Sequence, residues 1–388
     1  MIGRARVPFL KTSRCPDVDG SLTVKLESLF GKDRHFLFFP SARSALYFGL
    51  RHLQVEYVVL PAFTCKAVLE AALFADKIPV FADVNKETCC MDLAGLKRIP
   101  LDGRYAVLCT HQFGFPAPLE EVANLCRSSG AVLLEDCAAS FGTMHNDVPT
   151  GSSGYFSIFS GDVFKMLPVI AGIGMLMSKD RSFAERIQQD NSFGAMRRSK
   201  LHRVKAAAKK LALAAINRPI GYGLFYTFRY RFSSKKTNDT PQPRRAIPRE
   251  YFFKVCRSQK EEFLTQLSHL SEYLEKRRSL SLHYFNHLKG LKHIRALDAF
   301  VPINDSLGLI RFPIFIKDMD KMEFYRKCVR AGIDLGFVFS FPLLGSEASC
   351  PNAAALCKTV LNLPMYPGLT RRELNAIVDA IHRIDEEA

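Results

Sequence analysis

The chain has 388 residues, 48% apolar and 24% charged, which is long enough for two packed domains and too apolar for a disordered polymer. No apolar run reaches the roughly 18 residues a membrane span needs, and the opening MIGRARVPFLKTSRC has no apolar core followed by a small-residue cleavage site, so the expected compartment is the cytoplasm. The net charge of +16 is concentrated: Arg197 to Arg249 holds fifteen Lys or Arg against one acid, Asp239, and so carries +14 of it. The remainder is nearly neutral, which argues against a nucleic-acid-binding fold. Eleven scattered cysteines without zinc-ligand spacing are expected to be buried free thiols, with no metal site.

In chain order, PSARSALYFGL from Pro40 reads as a helix with a serine at its N-cap. Its first backbone amides can bind phosphate and Arg43 can add a charge-assisted bond, although a capped helix without any ligand has the same sequence. The runs EYVVLP, KIPVFADV, RYAVLCTH, AVLLEDC, GYFSIFS and GIGMLMS alternate with helical stretches, which predicts an α/β domain with a largely parallel sheet over residues 1–196. Ligands of such sheets sit beyond the carboxyl ends of the strands, where His111 and Asp136 fall. Lys165 is the only amine between Val148 and Ser178, among Phe164, Met166, Leu167, Pro168, Val169 and Ile170, where an ammonium is unfavourable. Such a site lowers an amine's pKa or commits it to covalent chemistry, and the alternative is a snorkelling surface lysine. An acid at a strand end and a desolvated lysine downstream of it are what a pyridoxal phosphate enzyme needs.

Residues 197–249 interrupt this pattern. RRSKLHRVKAAAKKLALAAINRP reads as an amphipathic helix stopped at Pro219, and SSKKTNDTPQPRRAIP as a polar loop or disordered stretch. From residue 250 to 388, Phe263, Leu267, Leu270 and Leu274 predict one long helix, GLIRFPIFI a strand and RRELNAIVDAIHRI a closing helix, together a smaller C-terminal α+β domain.

Taken in order, Ser41 to Ser44, LPAFTCKAVLEA, PVFADV, THQFGFP, LLEDCAASFG, the stretch from Ser157 to Lys165 and LPMYPGLT resemble the DegT/StrS family of pyridoxal-phosphate-dependent sugar aminotransferases. The resemblance runs from about Phe39 to Lys179 and again from Val255 to the end. It implies the fold-type-I, aspartate-aminotransferase-like architecture: a large mixed, mostly parallel sheet flanked by helices. It implies that Ala42 and Arg43 help cradle the cofactor phosphate with Ser157, that Asp136 binds the pyridine nitrogen and that Lys165 is the Schiff-base lysine. Cys65 stands where the family has a ring-stacking aromatic, Ala139 where a glutamine contacts the ring, and Phe141 where there is a histidine. The family's glycine-rich segment is reduced to Gly172-Ile173-Gly174, and its G-Y-N-Y-R-M motif is not recognisable before Val255.

The implied reaction moves an amino group from an amino acid such as glutamate to a keto sugar on a nucleotide diphosphate, for surface polysaccharide or amino-sugar biosynthesis, in a homodimer. Dehydratases of the family resemble this chain with histidine in place of Lys165. The substitutions at 65, 139 and 172–174 leave open a cofactor-free relative with a regulatory or scaffolding role. For the basic segment three readings stand: attraction of a diphosphate or of a neighbouring subunit's acidic face, contact with an anionic membrane, or a solvated excursion.

Overall fold

The computed structural model describes the chain except residues 4, 5, 7, 9–11, 13, 218–220, 224–242, 297–306, 340, 341, 344, 347 and 388. The first part of the chain runs α1 (Val18–Phe30), β1 (His35–Phe39), α2 (Ala42–Arg51), β2 (Tyr57–Pro61), α3 (Lys66–Phe74), β3 (Ile78–Ala82), α4 (Leu93–Leu96), β4 (Tyr105–Thr110), α5 (Leu119–Ser129) and β5 (Val132–Asp136). It continues with β6 (Met144–His145), β7 (Val148–Pro149), β8 (Phe156–Gly161), β9 (Ile173–Ser178), α6 (Arg181–Gln189) and α7 (Lys200–Ile216). The last part holds α8 (Arg257–Leu267), α9 (Leu270–His287), β10 (Ile294–Arg295), β11 (Phe312–Ile316), α10 (Lys321–Arg330), α11 (Pro351–Thr359), β12 (Val360–Leu363) and α12 (Arg371–Glu386).

Among the described residues seven strands form the main sheet, in the order β1-β9-β8-β5-β4-β2-β3. The pairs β2/β3, β2/β4, β4/β5 and β5/β8 are parallel, and β9 is antiparallel to both neighbours, β1 and β8. The six expected strands are all present. HFLFF, not among them, adds β1 at the edge. Central strands covered on both faces are apolar without alternation, and every residue of β4 and β9 is buried. One face of the sheet packs on Phe48, Leu69 and Phe183 from α2, α3 and α6. The other meets the C-terminal part through residues such as Tyr284, Ile314 and Ile381. There β10, β11 and β12 form an antiparallel sheet, and the chain's start joins the same part through an isolated bridge of Ile2 to Ile333, outside that sheet.

The helix expected through Phe263 and Leu274 is two helices. The chain turns at Ser268 and His269, and the Tyr273 hydroxyl donates back across the break to Gln266 Oε1 at 2.7 Å. Leu267 and Leu270 still enter the same apolar cluster, so the spacing of apolar residues continues across a break it cannot reveal. The predicted basic helix forms as Lys200–Ile216, while Pro219 and most of the polar loop lie outside the described residues. The cysteines are free, but not all are buried: Cys65 and Cys256 are exposed and Cys15 is partly so, because each precedes a helix at the surface instead of lying inside a strand. No helix among the described residues is long and apolar enough to cross a membrane.

Candidate active site

The carboxyl ends of β4 and β5 and the start of α2 converge on one cavity of about 400 Å³. Ser41 caps α2 by accepting from the Ser44 amide at 3.3 Å, which leaves the earlier amides, at Ala42 and Arg43, facing the cavity as an anion site. Gly174 of β9 permits this turn: a Cβ there would overlap the Ser41 carbonyl and the Ala42 amide. Gly174→Ala is therefore expected to displace the helix start, weakening binding of inorganic phosphate or a phosphorylated ligand at least about tenfold and lowering stability by about 1–3 kcal/mol. Calorimetric titration and thermal melting check the two effects.

Asp136 closes β5 in register with Thr110 of β4 and Ile158 of β8. It is buried, and its Oδ1 accepts from the Ala138 amide at 2.9 Å. Burial raises its pKa, opposed by that amide and by the charge of Lys165. Lys165 is half-buried and lines the same cavity. Burial lowers its pKa and the Arg311 charge lowers it further, while Asp136, Cys65 and Asp162 oppose the shift. An amine held down in this way is the nucleophilic form nearer neutral pH.

Glu135, one residue earlier, faces the other way. Its carboxylate accepts from the amides of Gly151 at 2.8 Å, Ser153 at 2.8 Å and Gly154 at 2.6 Å, and from His111 Nε2 at 2.9 Å. Burial raises its pKa, but the His111 bond and these amides win, and the net shift is downward. His111 Nδ1 accepts from the Ala117 amide at 3.1 Å, so Nε2 carries the proton. The atoms of His111, Glu135 and Cys137 lie within 4.8 Å of one another. With both ring nitrogens and both carboxylate oxygens engaged, His111 and Glu135 form a support beneath Asp136. Glu135→Gln turns an amide NH₂ toward backbone donors and is expected to destabilise the fold by about 3–5 kcal/mol, read as a lowered urea midpoint.

Ala42, Arg43, Cys65, Asp136, Ala139 and Lys165 all line the one cavity. Ser157 does not. Its hydroxyl donates to the Gly151 carbonyl at 2.5 Å, and Ser160 lines the cavity instead. Successive side chains of a strand alternate between faces, so Ser157 lies on the face of Phe159 and Ser160 on that of Ile158. Cys65 brings no ring to the cavity, and Ala139 brings only a methyl group. Aromatic surface comes from Phe113, Phe164 and Phe339. Phe113 lies in THQFGFP and sits at φ 58°, ahead of Gly114, while Phe339 arrives from the C-terminal part without any sequence signal. Phe141 belongs to the core, in edge contact with Phe30, Phe159 and Phe263.

The profile of the DegT/DnrJ/EryC1/StrS aminotransferase family matches residues 20–224 and 263–382. The chain belongs to this family. It is 23% identical over 355 residues to a UDP-N-acetyl-3-dehydro-alpha-D-glucosamine 3-aminotransferase of Acidithiobacillus ferrooxidans, covering 88% of this chain and 82% of that protein. The aminotransferase TlmJ from Streptoalloteichus hindustanus superposes with a TM-score of 0.73 at 20% identity, over 100% of this chain and 99% of that one. Helicobacter pylori PseC, an aminotransferase involved in the biosynthesis of pseudoaminic acid, superposes with a TM-score of 0.72 at 16% identity, over 99% and 100%. The family is pyridoxal-phosphate-dependent, and the site suits that group. A helix start free to take phosphate, a buried acid for a ring nitrogen and an amine for an aldehyde lie around one cavity, with the buried Thr110 Oγ1 lacking a partner among the described residues.

Proposed function

We propose that the chain transfers an amino group from an amino acid, with glutamate the expected donor, to a keto sugar carried on a nucleotide diphosphate, using pyridoxal phosphate. The observation that carries this reading is the convergence of Asp136, Lys165 and the α2 start on one cavity. The Ala42 and Arg43 amides, with the Arg43 side chain and Ser160, would hold the phosphate. Asp136 would face the ring nitrogen, and Lys165 would bind the aldehyde carbon. When bound, pyridoxal phosphate supplies an electron sink for the bonds at the donor's α-carbon. Once the donor's amine displaced it from the aldehyde carbon, the Lys165 Nζ would be released to take the α-proton and return it on the far side of the new C–N bond, and its depressed pKa would favour the free base.

A second cavity, of about 260 Å³, shares Phe164, Lys165, Ile310, Arg311 and Val338 with the first. Arg6, Arg277 and Arg311 line it and no acid does among the described residues; Arg6 is paired with Glu373 outside the lining, and the two further guanidiniums suit carboxylate and diphosphate groups. Arg43 and Cys65 are exposed at the rim of the cofactor cavity, where a second copy in a homodimer would cover them. Eleven free cysteines fit a reducing compartment such as the cytoplasm.

The test is direct. Purified protein given pyridoxal phosphate should gain a visible absorbance band that borohydride fixes to Lys165, and should release 2-keto acid from glutamate beyond one equivalent per site only when a nucleotide-linked keto sugar is added. A colourless, inert protein would favour the regulatory reading.

A further inference from the structure

We propose that α7 is an interfacial anchor that seats the protein on an anionic lipid bilayer. The helix lies against the body by one face only. Leu213 packs on Val163 and Ile170, and the Lys209 ammonium donates to the Ile170 carbonyl at 2.8 Å. The opposite face is apolar and exposed. At about 100° per residue, Val204, Ala208, Leu211 and Ala215 fall within about 60° of arc and form a single ridge. All four are exposed, and Leu211, at 73%, is the most exposed large apolar side chain among the described residues, with Val204 at 63%. Single exposed apolar residues are ordinary, but two in register on a helix with no other large apolar side chain between them make a surface.

Cations edge this ridge. Lys205 lies about 90° round the helix from the ridge centre and Lys209 and Lys210 about 130° round on either side, all exposed, with the Lys209 ammonium held by the Ile170 carbonyl, and no acid occurs from Arg197 to Asn238. An apolar ridge between cations, on a helix lying flat against its protein, matches a membrane interface, where the ridge enters the acyl boundary and the ammoniums meet anionic headgroups. Charge argues against a second copy of the chain: a two-fold contact through the ridge would set Lys205 against its own mate, while Glu262, the acid that interacts with Lys209 and Lys210, is engaged on the body side by the Ile170 amide. A nucleic acid would use the cations and leave Val204 and Leu211 unexplained.

The proposal needs neither cofactor nor substrate, so its test is independent of the catalytic reading. Full-length protein is sedimented with phosphatidylcholine vesicles containing about one third phosphatidylglycerol and, separately, with pure phosphatidylcholine. It is expected to pellet with the first and stay in solution with the second. V204E/L211E is expected to bind the anionic vesicles at least about tenfold more weakly, and K205E/K210E similarly, with thermal midpoints and circular dichroism unchanged. Wild-type protein that ignores the anionic vesicles, or V204E/L211E that pellets like wild type, overturns the proposal. So does a sedimentation-velocity mass that halves in V204E/L211E, which would assign the ridge to a second copy. Retention of a DNA duplex in preference to vesicles would assign it to nucleic acid instead.

Discussion

Lys165→Ala is expected to abolish transamination, with turnover reduced at least about 10⁴-fold. One nitrogen carries two tasks, covalent capture of the cofactor aldehyde and movement of the substrate proton, and positioned proton transfer alone is worth about 10²–10⁴. Burial and the Arg311 charge disfavour its charged form, against the opposing charges of Asp136 and Asp162. Alanine therefore removes an unfavourable ammonium, and the thermal midpoint should hold or rise. Loss of turnover together with retained stability separates a chemical role from a structural one. Two readouts check it: no borohydride-stable mass increment on the variant, and partial return of turnover with millimolar methylamine, which restores an amine base but no covalent tether. A variant that keeps more than a few per cent of turnover would remove Lys165 from the mechanism.

The sequence makes the centre of the fold legible and its periphery less so, for a physical reason. Strands such as VLLED and YAVLCT are buried on both faces, so their apolar character is continuous and announces them. Strand direction leaves no such mark, and the antiparallel β1/β9/β8 edge emerges only from pairing. The break between α8 and α9 is hidden because the apolar spacing runs through it, and the Tyr273 hydroxyl bond to Gln266 that spans it has no signature in periodicity. Within the site, local residues were readable: Ser41 as a cap, Asp136 at a strand end, and Lys165 as an isolated amine. Ser160 could have been found by counting alternate positions along GYFSIFSG, which puts it on the face opposite Ser157. Arg311 and Phe339 could not, since only tertiary packing brings them to the cavity.

Asp136→Asn is expected to lower turnover by about 10²–10³-fold while leaving the apoprotein as stable as wild type or more so. Its neighbour explains why. Glu135 and Asp136 are consecutive, both buried, and point to opposite faces of β5, yet their pKa values move in opposite directions. Glu135 sits among donors that favour its charge. A carboxylate with a depressed folded-state pKa contributes stability above its unfolded pKa and loses it as pH falls through the folded value, so Glu135 supports the fold at neutral pH. Asp136 is the reverse case. Its folded-state pKa lies above the unfolded value, so the ionised form is a burden at neutral pH that diminishes as acid neutralises it. A buried acid kept where it destabilises its own fold is what a ligand-facing charge requires. Asparagine retains the acceptor for the Ala138 amide and removes only the charge, which should weaken cofactor retention and turnover together while chemical denaturation of the apoprotein shows no loss. If Asp136→Asn instead unfolds as readily as Glu135→Gln, the charge at 136 is structural and the assignment of the cofactor's ring to this end of the cavity fails.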